Sequence, residues 1–279
     1  MSHSRYFAGR DEKNEEKLAH LLAALPPYCK DYFRGIRPAT TSMTRVAYAY
    51  DLSMFFTFLR NSPDASLRAI CEAERPECLS AITKQDVECY LEYLEGNGAS
   101  PDGGPRNRTQ GIRRRFSSLK SFLSYFCEAK AIPVNPTDAT RMPKLREKEI
   151  IRMDQDEMRE FLTELENGTG LCGKEIAYHG RFQVRDKAML SLMLGTGIRV
   201  SECVGLDLED IDLTKNAAHI QRKGGKEATV YYNDEVKENL RVYLEERTGQ
   251  QAASGHESAL FLSREQCRIS VRGVEYLVK

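Results

Sequence analysis

The sequence predicts a mainly α-helical protein of two domains with one small antiparallel β-sheet. Three segments of the first half place apolar residues at helical spacing, and one segment of the second half has the short β-type runs and glycine turn of a hairpin. The 279 residues exceed the roughly 100–200 of an average domain. Residues 131–151 contain prolines and no apolar periodicity, so we expect domains at 1–130 and 152–279 joined by this linker.

Three helices are predicted in the first half. Residues 40–60 carry an apolar stripe at helical spacing, and residues 83–95 begin with Thr83 and Asp86 at the spacing of a capping box. The third helix follows the turn sequence PDGGPRN and repeats its apolar residues from Ile112 to Phe126. Each stripe predicts a helix that buries one face.

Another face of the third helix is basic. Arg113, Ser117, Lys120 and Ser124 recur at helical spacing, and residues 101–130 hold seven basic against two acidic residues, although the whole chain has 41 charges of each sign. Small hydroxyls between positive charges let a row of DNA phosphates approach closely. The alternative interpretation is the solvated face of an amphipathic helix.

The second half opens with a predicted helix whose N-terminus is capped by Asp154 and Glu157. Residues 167–180 contain four glycines and predict an exposed loop. We assign no chemistry to the single histidine of this loop, His179.

The segment 185–212 contains the motif GTGIRVSE. Its apolar beginning predicts a buried helix that Gly195 and Gly197 end, after which Arg199 opens a short second helix. The two glycines lack the spacing of a nucleotide-binding loop, so we interpret them as turn residues.

The strongest β-signal is a hairpin over residues 217–233. Its turn is formed by Gly224 and Gly225, and Lys223 and Lys226 flank that turn. Further along, the pattern predicts a helix at 235–248, a third short strand at 259–263 and a last helix that begins within RISVRGVEYLVK.

Composition excludes several classes of protein. The N-terminus lacks the apolar core of a signal peptide, and no stretch approaches the roughly 18–20 uninterrupted apolar residues of a membrane span, so we expect a cytoplasmic protein without a membrane partner. Eight cysteines are scattered without a C-x-x-C motif. We therefore expect small buried thiols in a reducing compartment and no metal site.

Three features together resemble the tyrosine recombinase (phage integrase) family, its Xer-like members included: GTGIRVSE, the hairpin RKGGKE, and an upstream helix with RRRFSSLKSF. The resemblance covers roughly residues 30–279. It implies a helical, SAM-like core-binding domain and an α-rich catalytic domain that clamp double-stranded DNA. It further implies site-specific recombination or integration through a 3′-phosphotyrosine, by a homo-tetramer on paired sites, with no cofactor and no obligatory metal.

The resemblance assigns roles to individual residues. Arg199 matches the first catalytic arginine, whose guanidinium holds two oxygens of the scissile phosphate. Glu202 matches an acidic position that supports the site; the alternative is a surface carboxylate without a special partner. Lys223 matches the hairpin lysine that protonates the leaving 5′-oxygen, helped by the charge of Arg222, and spacing favours it over Lys226. The candidate DNA-contacting residues are Arg45, Arg113, Arg114, Ser117, Lys120 and Arg222.

The remainder of the family's active site has no match in the 279 residues. His256 is not followed by an arginine three residues later, and we name no nucleophile among Tyr231, Tyr232 and Tyr276. Because VEYLVK stops in mid-pattern, we expect a chain truncated before the His-x-x-Arg and tyrosine motifs, which binds DNA and does not cleave it. The alternatives are a catalytically inactive protein that occupies recombination sites and a helical protein-interaction module.

Overall fold

The computed structural model forms two compact units, one including residues 9–149 and the other residues 150–279. Helices dominate both, and the described strands form one three-stranded antiparallel sheet, which confirms the predicted fold class. None of the described helices is long and apolar enough to cross a membrane. The structure describes residues 3–96, 109–142, 152–222 and 225–278.

Aromatic side chains from two long helices form the centre of the first unit. Phe55, Phe56 and Phe122 are fully buried, and the ring centroids of Phe56 and Phe122 lie 6.1 Å apart at 86°. Such edge-to-face pairs add to the free energy of apolar burial. The helices are α1 (His3–Ala23), α2 (Cys29–Ile36), α3 (Ser42–Arg60), α4 (Ala65–Ile70), α5 (Lys84–Gly96) and α6 (Thr109–Glu128).

The predictions for α3, α5 and α6 are confirmed. Each of the predicted apolar stripes faces the core, and the capping box forms at the start of α5, where Thr83 and Asp86 each accept the backbone N–H of the other. The helices α1, α2 and α4 were not predicted. With 8 and 6 residues, α2 and α4 are too short to show a helical stripe, and α1 carries a run of charged residues.

Gly35, near the end of α2, lets this helix approach α6 closely. A Cβ atom at Gly35 would overlap the ring of Tyr125. We expect Gly35→Ala to lower the free energy of unfolding by about 1–3 kcal/mol, the usual cost of overpacking. Gly9→Ala is the control: a Cβ there meets nothing within 4 Å, so helix propensity should make this variant slightly more stable. Urea unfolding curves check both signs; equal effects would contradict the overlap.

The predicted linker begins inside the first unit. A 3-10 turn at Pro136–Ala139 packs against α5 and α6, and both Ile132 and Thr137 are buried. Asn135 stabilises this turn because its side chain accepts the N–H and hydroxyl of Thr137. Residues 131–142 are therefore part of the helical unit, which corrects the predicted linker. The prolines of this segment favoured a linker, and the single buried apolar residue Ile132 does not form a periodic pattern. Residues 143–151 lie outside the described part.

The second unit packs helices around a small sheet. Leu192, Leu240, Tyr243 and Leu260 are fully buried in its core. The strands follow the order β1-β2-β3, and Ala218 of the central strand pairs with both Ile211 and Val230. The elements are α7 (Gln155–Asn167), α8 (Lys174–Thr196), α9 (Val200–Cys203), β1 (Ile211–Asp212), β2 (Ala217–Gln221), β3 (Glu227–Tyr231), α10 (Asp234–Thr248) and α11 (Val271–Leu277).

The predicted loop at 167–180 is wrong in its second half. Helix α8 begins at Lys174 and continues through Gly180. The cost of a glycine inside a helix is only about 1 kcal/mol. It is offset here by contacts along one face, such as the Tyr178 ring, whose centroid lies 4.7 Å from that of Phe182.

The predicted third strand at 259–263 is also wrong. This segment makes one isolated bridge to Asp207 and one to Arg268, and β1 is the third strand instead. Side chains take the carbonyl groups that a sheet ladder would need: Tyr243 binds Leu260 O, and Arg185 binds Leu262 O. The apolar run therefore marks a buried connection rather than a strand.

Candidate active site

The candidate catalytic arginine lies where α8 turns into α9. Gly197 ends α8 with a left-handed φ of 67°, as predicted, whereas Gly195 lies inside the helix. Arg199 then adopts an extended conformation as the N-cap of α9. Its side chain is 73% exposed. A positively charged group is thus presented to solvent from a turn whose geometry the GTG sequence determines.

Glu202 holds Arg199 at two points. Its Oε2 accepts the backbone N–H of Arg199 at 2.9 Å, and its Oε1 accepts Nη1 of the guanidinium at 3.0 Å. The Glu202 side chain is only 6% exposed, so the alternative of a surface carboxylate without a partner is wrong. The two hydrogen bonds fix one side of Arg199 and leave much of its guanidinium exposed for an anion.

A buried network that sequence reasoning missed supports α9 from its C-terminal side. Arg268 donates to Val204 O at 3.1 Å and Leu206 O at 2.6 Å, and it pairs with the buried carboxylate of Asp207. Ser258 donates a further hydrogen bond to that carboxylate at 2.9 Å. The partners are more than 50 positions apart, so no local pattern signals them.

The predicted hairpin is confirmed, and its turn is partly described. Arg222 N–H donates to Lys226 O at 2.7 Å, and Gly225 adopts a positive φ of 77°. Arg222 and Lys226 are both exposed. Lys223, the predicted general acid, lies outside the described residues. Because α9 packs against β2, Arg199 and the hairpin belong to the same compact unit.

The tyrosines of the second unit differ in burial. Tyr231 is 71% exposed and Tyr276 is 62% exposed, whereas Tyr232 is buried and donates to Asp212 O at 3.2 Å. Burial raises the pKa of Tyr232 to about 12, which keeps its hydroxyl protonated and suits a structural role.

The cysteines are free thiols with varied burial. Cys29 and Cys203 are buried, which raises the pKa of both, whereas Cys89 and Cys172 are exposed, so the expectation of buried thiols holds for only some of the cysteines. Among the described residues, no group of three or more potential ligands could hold a metal ion.

The basic stripe of α6 is divided by the segment that follows the helix. Arg113 is half-buried and Ser117 is exposed. Lys120 forms an ion pair with Asp138 at 2.8 Å, and Ser124 accepts the side-chain amide of Asn135. The C-terminal half of the stripe is therefore in contact with residues 131–142, whereas in its N-terminal half Ser117 is exposed.

Two further candidate DNA contacts, Arg45 and Arg114, differ in burial. Arg45 is only 6% exposed; it donates to Thr40 O at 2.6 Å and pairs with Glu15, so its assignment as a DNA contact is wrong, because protein groups already occupy a buried guanidinium. Arg114 is 48% exposed, and its Nη1 donates to the buried Asp51 at 2.6 Å.

The chain is similar in sequence to known proteins. The profile of the phage integrase family matches residues 151–279. The chain is 31% identical over 265 residues to tyrosine recombinase XerC of Caldanaerobacter subterraneus subsp. tengcongensis, across 91% of this chain and 68% of that protein. It is 28% identical over 289 residues to tyrosine recombinase XerS of Streptococcus agalactiae, across 94% of this chain and 80% of that protein.

Two solved structures share the fold. The Tn1549 transposon integrase in complex with circular intermediate DNA has a TM-score of 0.60 and 16% identity, over 89% of this chain and 75% of that one. A lambda integrase tetramer bound to a Holliday junction has a TM-score of 0.57 and 16% identity, over 90% and 63%. With the sequence match to XerC, these findings place the chain in the tyrosine recombinase family, which is the phage integrase family of the matching profile.

Proposed function

We propose that this protein serves site-specific DNA recombination, in which strands are cut and rejoined through a 3′-phosphotyrosine by a homo-tetramer on paired sites. The observation that carries the proposal is the exposed guanidinium of Arg199, anchored at two points by the buried Glu202. The curated relatives are named tyrosine recombinases, and the structural neighbours are integrases bound to DNA, one of them a tetramer.

The proposed chemistry divides between three side chains. Arg199 stabilises the negative charge that develops on the scissile phosphate, and Glu202 keeps it in position. A tyrosine hydroxyl gives up its proton to water and its oxygen bonds to phosphorus as the bond between phosphorus and the 5′-oxygen breaks, and Lys223 donates a proton to that leaving oxygen. We name no nucleophile among the 279 residues. The three side chains would supply phosphate activation and protonation of the leaving group.

A catalytically inactive protein that occupies recombination sites is the second candidate. It would bind the duplex through the same basic residues and would lack the covalent step. Both candidates predict duplex binding, and both predict that the 279-residue chain itself forms no covalent adduct with DNA. An adduct isolated under denaturing conditions would contradict the assignment of no nucleophile.

The DNA-binding part of the proposal predicts a strong dependence on salt. If Arg113 and Lys120 bind phosphates, the double alanine variant should flatten the plot of log affinity against log salt by about 0.9 for each phosphate that is no longer neutralised, because fewer condensed counterions are released. Titration of a labelled duplex at several salt concentrations measures this slope. Arg34→Ala is the control, since Arg34 is 79% exposed on α2. An unchanged slope in the double variant would leave the stripe as solvated surface.

A further inference from the structure

A carboxylate from the core of the first unit holds one of the candidate DNA contacts. Asp51 of α3 has a side chain that is only 2% exposed. Its Oδ2 accepts Nη1 of Arg114 at 2.6 Å, and its Oδ1 lies 3.9 Å from Nε of Arg115. The Arg114 side chain is 48% exposed. One end of this ion pair is therefore in the core and the other reaches the surface of α6.

The burial of Asp51 is not explained by stability alone. Burial raises the pKa of Asp51 to about 6 even though Arg114 and Arg115 both lower it, so desolvation outweighs the attraction of two arginines. An apolar residue of similar volume at a core position would often stabilise the protein at least as much as a buried charge. The pair does, however, restrict the rotamers of Arg114, which an arginine on a free helix surface would sample widely.

We propose that Asp51 is a positioning residue for DNA binding, which fixes one edge of the Arg114 guanidinium from inside the protein so that other N–H donors of Arg114 meet a DNA phosphate beside Ser117. The inference rests on the proposed function, namely duplex binding through α6. Pre-orienting the guanidinium removes part of the entropy that an arginine loses on binding, and the planar fork of donors suits a phosphate.

The sign of one substitution separates positioning from long-range electrostatics. Asp51→Asn and Asp138→Asn each remove one negative charge that pairs with a cation of α6. Coulomb's law alone predicts tighter duplex binding for both, because each variant is more positive near the DNA. Positioning predicts that Asp138→Asn binds as tightly as the parent or tighter, whereas Asp51→Asn binds about three- to tenfold more weakly with a flatter salt slope.

The experiment uses the full chain and a labelled duplex of mixed sequence, titrated at several salt concentrations. In the Arg114→Ala background, Asp51→Asn should cause no further loss, since the two residues act as one unit. If Asp51→Asn unfolds, Asp51→Glu replaces it: the longer carboxylate keeps the charge but shifts the guanidinium, and affinity should still fall while circular dichroism shows that the variant is folded.

Each remaining outcome has a defined meaning. No duplex binding by the parent would overturn the proposed function and this inference with it. Parent binding combined with equal or tighter binding of the folded Asp51 variant would overturn the inference alone. So would Arg114→Ala binding as the parent does, or losses from Asp51→Asn and Arg114→Ala that simply add.

Discussion

Replacing Arg185 with alanine should destabilise the second unit by about 3–5 kcal/mol, because removal of one partner leaves a buried charge uncompensated. Arg185 and Asp186 of α8 are both about 3% exposed. Arg185 donates to Asp186 at 2.7 Å, to Leu262 O at 2.6 Å and to the Tyr178 hydroxyl at 3.0 Å, and it lies 4.4 Å from the centroid of the Phe182 ring. The alanine variant would lose the attachment of α8 to the connection that precedes α11.

The matched control is an exposed pair of the same unit. Arg159 contacts Asp156 at 2.9 Å, but the two side chains are 75% and 89% exposed, so Arg159→Ala should change stability by less than about 1 kcal/mol. Urea unfolding followed by circular dichroism compares the two variants, and hydrogen exchange of α8 locates the loss. Similar small effects for both would show that the Arg185 site relaxes by admitting water.

The loss of stability in Arg185→Ala should depend on pH, and the pKa of Asp186 determines the direction. Burial raises the pKa of Asp186 to about 6, with Arg185 acting to lower it. A raised carboxyl pKa means that the folded state binds the proton more tightly than the unfolded state, so stability from this group falls as pH rises from about 4 to about 6. Without Arg185 this pKa rises further, and the deficit of Arg185→Ala should be larger at about pH 8 than at about pH 5.

Local signals account for the elements that the sequence predicted correctly. The capping boxes at Thr83 and Asp154 and the glycine turn before Arg199 depend on residues within a few positions, and the structure contains all three. Two segments were predicted wrongly because a glycine or an apolar run has no fixed meaning without its tertiary neighbours. Residues 174–180 were predicted as a loop and belong to a helix, and residues 259–263 were predicted as a strand and form a buried connection. Tertiary contacts decide such segments.

The candidate site was predictable only in part, for the same reason. The motif located Arg199 and Glu202, but not the two-point hydrogen bonding between them. Arg45 and Arg114 are both arginines on helices, so the sequence pattern cannot distinguish them. In the structure Arg45 is buried and donates to a backbone carbonyl, whereas Arg114 reaches the surface. The Arg268 network joins residues more than 50 positions apart, so only the folded chain shows it.

The largest effect on chemistry is expected at Arg199. In a chimera that joins residues 1–279 to the C-terminal part of the Caldanaerobacter XerC, Arg199→Ala should slow strand cleavage by about a hundredfold to a thousandfold, as for the loss of one preorganised donor. Arg199→Lys keeps the charge but not the planar fork, so this variant should retain duplex affinity and still cleave slowly. Glu202→Gln should be about tenfold slower, since it loosens the guanidinium without removing it. Cleavage by Arg199→Lys at the parental rate would contradict the two-oxygen contact.

A modified substrate then separates the charge stabilisation by Arg199 from the proton transfer assigned to Lys223. When sulfur replaces the bridging 5′-oxygen, the leaving group departs as a thiolate and needs no proton. This substrate should restore cleavage to Lys223→Ala, because only protonation of the leaving atom is lost in that variant. It should not restore cleavage to Arg199→Ala, since the developing charge on the phosphate remains unstabilised.

Lys226→Ala is the matched control and should cleave both substrates like the parent chimera. Rescue of Lys226→Ala instead of Lys223→Ala would move the general acid to the other side of the hairpin turn, and equal rescue of the Arg199 and Lys223 variants would remove the distinction between their roles.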